Sequence, residues 1–310
     1  MSNKLKVGVV GLGSMGHNHA RLCSQLNCEL VGVADADPAL AKKIGDLYNT
    51  NHYSDYHNLL PLVDAVDIAV PTTVHHTVAL DFLKAGVHCL VEKPIASNLD
   101  EATEMIKVAI QNHVTLAIGH IERFNPAVIR LKQIVDEGKL GKILTISTRR
   151  VGPSVSRIRD AGVVIESATH DIGIIKYLLD KEPIGVFSRV GRLKHAKEDY
   201  AIIVLDFADT TACVEVNWFT PHKVRTLVAT GSEGIANLDY IEQTVTIQNS
   251  QETQIEDIKK AEPLKLEIED FLKCVMEGNK PAVDGIEGMS ILKIALDAST
   301  NNFKVFHSAR

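Results

Sequence analysis

Through the first 120 residues, short apolar runs alternate with amphipathic stretches. Leu5–Val10, Leu30–Ala34, Ala65–Val70, His88–Val91 and Val114–Ile118 read as strands. Between them Ser14–Leu26, Pro38–Tyr48, Val74–Ala85 and Leu99–Gln111 carry helical spacing, with Pro38 near the first turn of its helix. The strands are apolar throughout and do not alternate. That pattern predicts a parallel sheet buried on both faces by helices.

The rhythm changes after Gly119. Asn125–Glu137 reads as a helix ending at Gly138. Longer alternating runs then follow at Ile143–Val151, Ile184–Leu193, Ala201–Phe207, Ala212–Trp218, Val224–Ala229 and Thr244–Asn249. These predict a largely antiparallel sheet, interrupted by one helix near His170–Leu179. Two helices close the chain. The first sets Leu264, Ile268, Phe271, Leu272 and Val275 on one stripe, with Gly278 and Pro281 as stops; the second spans Glu287–Ser299. The expected organisation is an α/β protein. Residues 1–120 form a first domain on a parallel sheet, and 121–310 a second α/β domain with an open-faced, largely antiparallel sheet.

A length of 310 residues suits two domains, and 45% hydrophobic with 23% charged residues is ordinary for a globular chain. The net charge of −6 offers nothing to nucleic acid or an anionic membrane as main partner. Five scattered cysteines without a C-x-x-C spacing speak against a disulfide framework or a zinc knuckle, and for free thiols in a reducing cytoplasm. No signal peptide is expected, and no apolar run approaches the roughly 20 residues of a membrane span.

Gly11-Leu12-Gly13-Ser14-Met15-Gly16 stands between the first strand and first helix. Glycine at 11 permits the tight turn, at 13 the approach of a pyrophosphate, and at 16 close helix–strand packing. The helix N-terminus then faces the phosphates. Asp35 closes the second strand, placed to accept from the adenosine ribose hydroxyls; alternatively it caps the Pro38 helix. With no arginine at 36 or 37, a carboxylate here favours NAD over NADP. Glu92-Lys93-Pro94 follows the fifth strand, where the carboxyl ends of a doubly wound sheet border the ligand crevice. Lys93 is either a substrate-facing cation or a solvated strand end. Two histidine pairs, His17 with His19 and His75-His76, suggest cofactor-edge or solvated side chains. No metal is expected, because no carboxylate or thiol stands at ligand spacing beside them.

Together, the glycine loop, Asp35, Val70-Pro71-Thr72 and Glu92-Lys93-Pro94 resemble the glucose–fructose oxidoreductase/inositol dehydrogenase/rhizopine-catabolism (Gfo/Idh/MocA) family. The resemblance continues through Arg123-Phe124-Asn125-Pro126 and Gly162–Asp171, so it covers nearly the whole chain. It implies NAD as cofactor, contacted by Gly11, Gly13, Ser14, Met15, Gly16, Asp35, Pro71, Thr72, His75, Glu92 and Lys93. It implies Lys93 and His170 as catalytic groups, and an oligomer built through the open sheet. Where the family often has an aspartate four residues before the histidine, this chain has Glu166; either it reaches the same partner or the position has lost its role. His170 can equally be read as a helix-start residue bonded to backbone, with Thr169 or Asp171 as cap.

A longer string, Gly119–Val128, joined by Arg157-Ile158-Arg159-Asp160 and Asn217–Pro221, is similar to the branch of UDP-N-acetylglucosamine 3-dehydrogenases. The expected reaction is oxidation of a sugar hydroxyl to a ketone, with a nucleotide sugar as substrate. Arg123, Asn125, Arg157, Arg159, Trp218, Lys223 and Arg225 are the substrate-binding candidates. The arginines at 149, 150, 157 and 159 offer cations for a diphosphate. Two other readings stay open: a dehydrogenase of a free polyol or simple sugar, and a non-catalytic NAD-sensing protein. A homodimer or homotetramer is expected, since the second domain has more strands than its helices can cover. An uncovered face holding Val214, Val216 or their alternating neighbours marks the interface.

Overall fold

The computed structural model describes residues 4–153, 161–300 and 302–305. In chain order the elements are β1 (Lys6–Val10), α1 (Ser14–Cys23), β2 (Glu29–Ala34), α2 (Pro38–Tyr48), β3 (Asn51–Tyr53), β4 (Ala65–Ile68), α3 (Thr72–Lys84), β5 (His88–Glu92), α4 (Leu99–Gln111) and β6 (Leu116–Gly119). There follow α5 (Pro126–Asp136), β7 (Ile143–Pro153), α6 (Thr169–Leu179), β8 (Gly185–Gly191), β9 (Tyr200–Asp206), β10 (Thr211–Asn217), β11 (Phe219–Gly231), β12 (Ile235–Asp239), β13 (Thr244–Gln248), β14 (Thr253–Ile255), α7 (Pro263–Glu277), α8 (Gly285–Ala298) and β15 (Asn302–Val305). They form two compact units: Met1–His120 with Leu264–Ser290, and Ile121–Pro263 with Ile291–Arg310.

In the first unit the sheet runs β3-β2-β1-β4-β5-β6, and every described pair is parallel. The strand order reverses beside β1, so the glycine loop after β1 sits at the point where such sheets bind ligands. Val7, Val9, Val66, Ile68, Leu90 and Val91 are buried, as continuous apolar strands require. β3 was not anticipated; three residues with two exposed side chains carry no periodic signal. The return of the chain at residue 264 was not anticipated either. The α7 stripe of Leu264, Ile268, Phe271 and Leu272 is buried, and the helix belongs to the first unit although it is distant in sequence.

The second unit holds a sheet ordered β14-β13-β12-β11-β7-β10-β9-β8-β15, antiparallel except for β7 beside β10. One face packs on helices: Ala127, Val128 and Leu131 of α5, Ile172, Ile175 and Leu178 of α6, and Ile294 and Ala295 of α8 share a core with Ile203, Val214 and Leu227 of the sheet. Strand alternation then fixes the other face. Val214 and Val216 lie on the covered side, at 0% exposure. The open side carries their neighbours instead. One cross-strand row there is Phe187, Val204, Cys213, Ser147 and Val228; the next is Arg189, Ile202, Glu215, Arg149 and Thr226. Among the described residues no helix is long and apolar enough to cross a membrane.

Truncating Phe271, 1% exposed on α7, removes a large side chain from the first unit's core. Phe271→Ala should cost about 3–5 kcal/mol in urea unfolding. The accompanying rise in amide hydrogen exchange should fall in residues 4–120 and not in 121–263.

Candidate active site

The first unit presents a dinucleotide cradle. Gly11 lies at φ +84°, and a Cβ there would press on the Ala69–Val70 backbone at 2.7 Å. At Gly16 a Cβ would collide with the Gly11 carbonyl, whereas at Gly13 it would meet nothing. The loop is thus closed against the sheet at its ends and open in the middle, where a pyrophosphate approaches. Helix α1 starts from Gly13 with no side-chain cap. Its first N–H groups therefore face outward with their partial positive charge, as an anion requires. Ser14 and Met15 form its first turn.

Asp35 does more than end β2. Its carboxylate accepts from Leu12 N–H at 2.7 Å and from Asp37 N–H at 2.9 Å, tying the glycine loop to the second strand. Capping of α2 falls to Asp37, which accepts from Ala39 N–H and Leu40 N–H. A cavity of about 430 Å³ opens beside Asp35, lined mostly by apolar groups including Val10, Ala34, Val70, Pro71, Val74 and Val78. Its walls and its single border of carboxylates, Asp35 and Asp55, suit an adenosine moiety. Thr72 begins α3 at its edge. These features fit NAD: an uncapped helix start for the phosphates, and a carboxylate with an apolar slot for the adenosine.

His75 lies behind the cradle. It is 1% exposed, with Nδ1 2.9 Å from the Pro94 carbonyl and Nε2 2.9 Å from the Val70 carbonyl. Burial lowers its pKa against the pull of those carbonyls, so the neutral ring donates to one of them at a time. It braces two turns and does not line the cofactor cavity. His76 pairs with Glu104 at 2.8 Å, and His17 is exposed beside the Tyr48 ring.

Glu92 also faces inward. His19, on the buried side of α1, stands 3.1 Å from Asp67 Oδ2 through Nδ1 and 3.2 Å from Glu92 Oε1 through Nε2. Asp67 comes from the middle of β4, and Glu92 ends β5. Burial alone would lower the His19 pKa, but the two carboxylates outweigh it and raise the value to about 10. Glu267 of α7 completes the cluster: one side-chain ligand atom from each of His19, Glu92 and Glu267 lies within 4.8 Å of the other two. Glu92 Oε2 also accepts from Lys93 N–H at 3.1 Å. Lys93 itself is half-buried at the carboxyl end of β5.

In the second unit a π-helical turn, Val164–Ala168, runs directly into α6. Glu166 and His170, four residues apart on this continuous helix, share a face, and both are half-buried. No side chain caps α6. Thr169 Oγ1 donates to the Ile165 carbonyl, and Asp171 turns into the core, so neither acts as the helix cap.

The basic residues behave differently from one another. Arg150 is buried, donating to Asp171 at 2.8 and 3.3 Å and to Glu122 at 2.9 Å. Arg149, on the opposite sheet face, pairs with Glu215 at 3.0 Å. Arg123 stacks over the Tyr177 ring. Asn125 caps α5, accepting from Ala127 N–H and donating to Glu122 and to the Tyr240 carbonyl. Trp218 is 9% exposed and belongs to the core, edge-on to His195. These five positions are therefore tied into the fold. Arg225 and Lys223 of β11 keep more exposure, half-buried and exposed respectively. Arg225 lies 3.5 Å from Glu122, and burial together with Arg150 lowers its pKa. Arg157 and Arg159 lie outside the described residues.

Two family models match the chain. Residues 5–120 match the oxidoreductase family with an NAD-binding Rossmann fold, and 128–237 match the GFO/IDH/MocA C-terminal domain. The chain belongs to the GFO/IDH/MocA oxidoreductase family. It is 28% identical to the UDP-N-acetylglucosamine 3-dehydrogenase of Acidithiobacillus ferrooxidans over 94% of this chain and 95% of that one. It is 29% identical to the scyllo-inositol 2-dehydrogenase (NAD(+)) of Bacillus subtilis over 98% and 95%. The solved structure of the A. ferrooxidans enzyme superposes with a TM-score of 0.89, at 29% identity, over 96% of this chain and 97% of that one. This GFO/IDH/MocA oxidoreductase is thus an NAD-binding dehydrogenase acting on CH–OH groups.

Sequence reasoning about the family member missed the His19–Asp67–Glu92–Glu267 cluster. Local spacing does not connect these residues, which converge from two helices and two strands. A signal was nevertheless present: Asp67 interrupts an apolar strand, and Glu267 falls on the Leu264–Ile268–Phe271 stripe.

The raised His19 pKa has a direct thermodynamic consequence. A folded value near 10 against the ordinary histidine value of 6.5 gives stabilisation that is full below pH 6.5 and lost as pH rises toward 10. Urea unfolding across that range should show this loss in the wild type. His19→Asn should flatten it.

Proposed function

We propose that this oxidoreductase oxidises a secondary hydroxyl of a sugar to a ketone, with C3 of UDP-N-acetylglucosamine as the reacting position. The observation that carries the chemistry is Lys93, half-buried directly after β5 beside the cofactor cradle, in a chain that also keeps His170. Full-length similarity to the A. ferrooxidans enzyme supports the substrate.

NAD supplies the hydride acceptor when bound. The residues of the chain handle the proton. His170 is the base that accepts the hydroxyl proton. Glu166 on the same helix face stabilises the imidazolium that results. Lys93 orients the hydroxyl and stabilises the developing alkoxide. Lys223 and Arg225 are the cations best placed for a diphosphate, with Arg157 and Arg159 as further candidates. The free cysteines fit a reducing cytoplasmic setting.

A free polyol is the second reading, and one observation favours it. Arg149 and Arg150 are consumed by internal carboxylates, which thins the basic cluster expected for a nucleotide. The inositol dehydrogenase relative matches at similar identity. Purified enzyme with NAD should form NADH on addition of UDP-N-acetylglucosamine; preference for inositol would select the second reading, and NAD binding without oxidation of any sugar would leave a sensor. Lys93→Ala and His170→Ala should each lower turnover about 10²–10⁴-fold while NAD affinity stays near wild type. Wild-type turnover in both would remove the assignment.

The open sheet face supports assembly as a homodimer or homotetramer. Phe187 and Ile202, 47% and 39% exposed, lie on that face on neighbouring strands with Val204 between them and Arg189, Glu215 and Arg149 beside them, and apolar surface rimmed by polar side chains marks interaction surfaces. Light scattering should show an oligomer at micromolar concentration, and Ile202→Glu should shift it toward monomer.

A further inference from the structure

The cluster behind Lys93 holds more acid than base. Asp67, Glu92 and Glu267 are 0%, 9% and 2% exposed, and His19 is 1% exposed. His19 sits between Asp67 and Glu92 and is charged at neutral pH, so it answers one of two carboxylates. Asp67 Oδ2 takes His19 and also accepts from the Cys23 thiol at 3.4 Å. Glu92 takes His19 and the Lys93 N–H, and the nearby Lys93 cation further favours its ionised form. Glu267 takes nothing: neither carboxyl oxygen has a hydrogen-bond partner among the described residues. An ionised Glu267 would be an unpaired charge in a dry interior, beside a carboxylate already ionised, at a cost of several kcal/mol.

We propose that Glu267 is a neutral carboxylic acid in the folded enzyme and acts as a positioning residue, its O–H facing Glu92 and so holding the Glu92-Lys93-Pro94 turn in place. Desolvation and the Glu92 charge both push Glu267 in this direction. The alternative way to satisfy three acids and a histidine is a buried divalent cation with His19, Glu92 and Glu267 as ligands. The geometry favours the proton. Both His19 ring nitrogens are already engaged by carboxylates, and all three groups are buried. The consequence for the reaction rests on the reading of Lys93 given above; the protonation state of Glu267 does not.

The test uses the full-length enzyme and three variants. Infrared difference spectroscopy in H₂O and D₂O, comparing wild type with Glu267→Gln at neutral pH, should show a protonated-carboxyl carbonyl band that is present in wild type and absent in the variant. An amide keeps an N–H for Glu92, so Glu267→Gln should retain turnover within about threefold. Glu267→Leu, which removes the donor, should lower kcat about tenfold, the scale of a lost hydrogen bond to a charged group, with KM for NAD unchanged. If Glu267→Leu does not fold, Glu267→Met provides the same comparison, and the infrared band is read without either. Absence of the band from wild type, a stoichiometric metal in the purified protein, or loss of turnover in Glu267→Gln equal to that in the apolar variant would overturn the proposal. Should Lys93→Ala retain turnover, the reading of Lys93 fails while the band stays.

Discussion

A carboxylate buried in a parallel sheet must be met by a positive charge, and in this protein one imidazole meets two. Asp67 interrupts an otherwise apolar β4 and Glu92 ends the next strand. His19 reaches both from the helix that the glycine loop launches. That single contact ties together the elements the cofactor site is built from. The phosphate-facing helix, the central strand pair and the turn carrying Lys93 cannot shift independently without exposing a charge to apolar surroundings. Packing alone would permit small slides; the ion network sets the register.

The second unit uses the same device with opposite sign. There a guanidinium is buried, and Arg150 is answered by Glu122 and Asp171. The bidentate fork to Asp171 fixes the first turn of α6, which carries His170. Arginine is suited to this position because its planar fork engages two carboxylates at once and stays charged when buried. The arginines that composition suggested for a diphosphate are thus partly the scaffold that holds the helix of the proposed base.

Much of the fold was legible because continuous apolar strands and amphipathic helices differ in period. The parallel sheet, the change of rhythm near residue 120 and the glycine loop followed from that difference and from turn chemistry. Short edge strands such as β3 and β14 were not legible, since three residues show no period. Nor was the role of individual polar side chains. Asn125, Arg123 and Trp218 look alike on paper whether they touch a ligand or the core, and only the tertiary structure reveals the cap, the ring stack and the burial. His75 reads as a cofactor-edge residue on a helix start, and its inward direction depends on the carbonyls of Val70 and Pro94. Patterns along a chain report which face is buried; they do not report which buried polar groups meet.

The return of residues 264–290 to the first unit bears on how the protein is made. During synthesis the first 120 residues emerge long before α7, so the nascent first unit waits with the seat of Leu264, Ile268 and Phe271 uncovered. The dinucleotide cradle can form early, while the polar cluster behind it closes only once α7 has been made. A non-local closure of this kind slows folding and leaves an apolar groove exposed on the ribosome. The enzyme thus has a built-in order of maturation, in which the segment that seals the Glu92-Lys93-Pro94 turn arrives well after the turn itself.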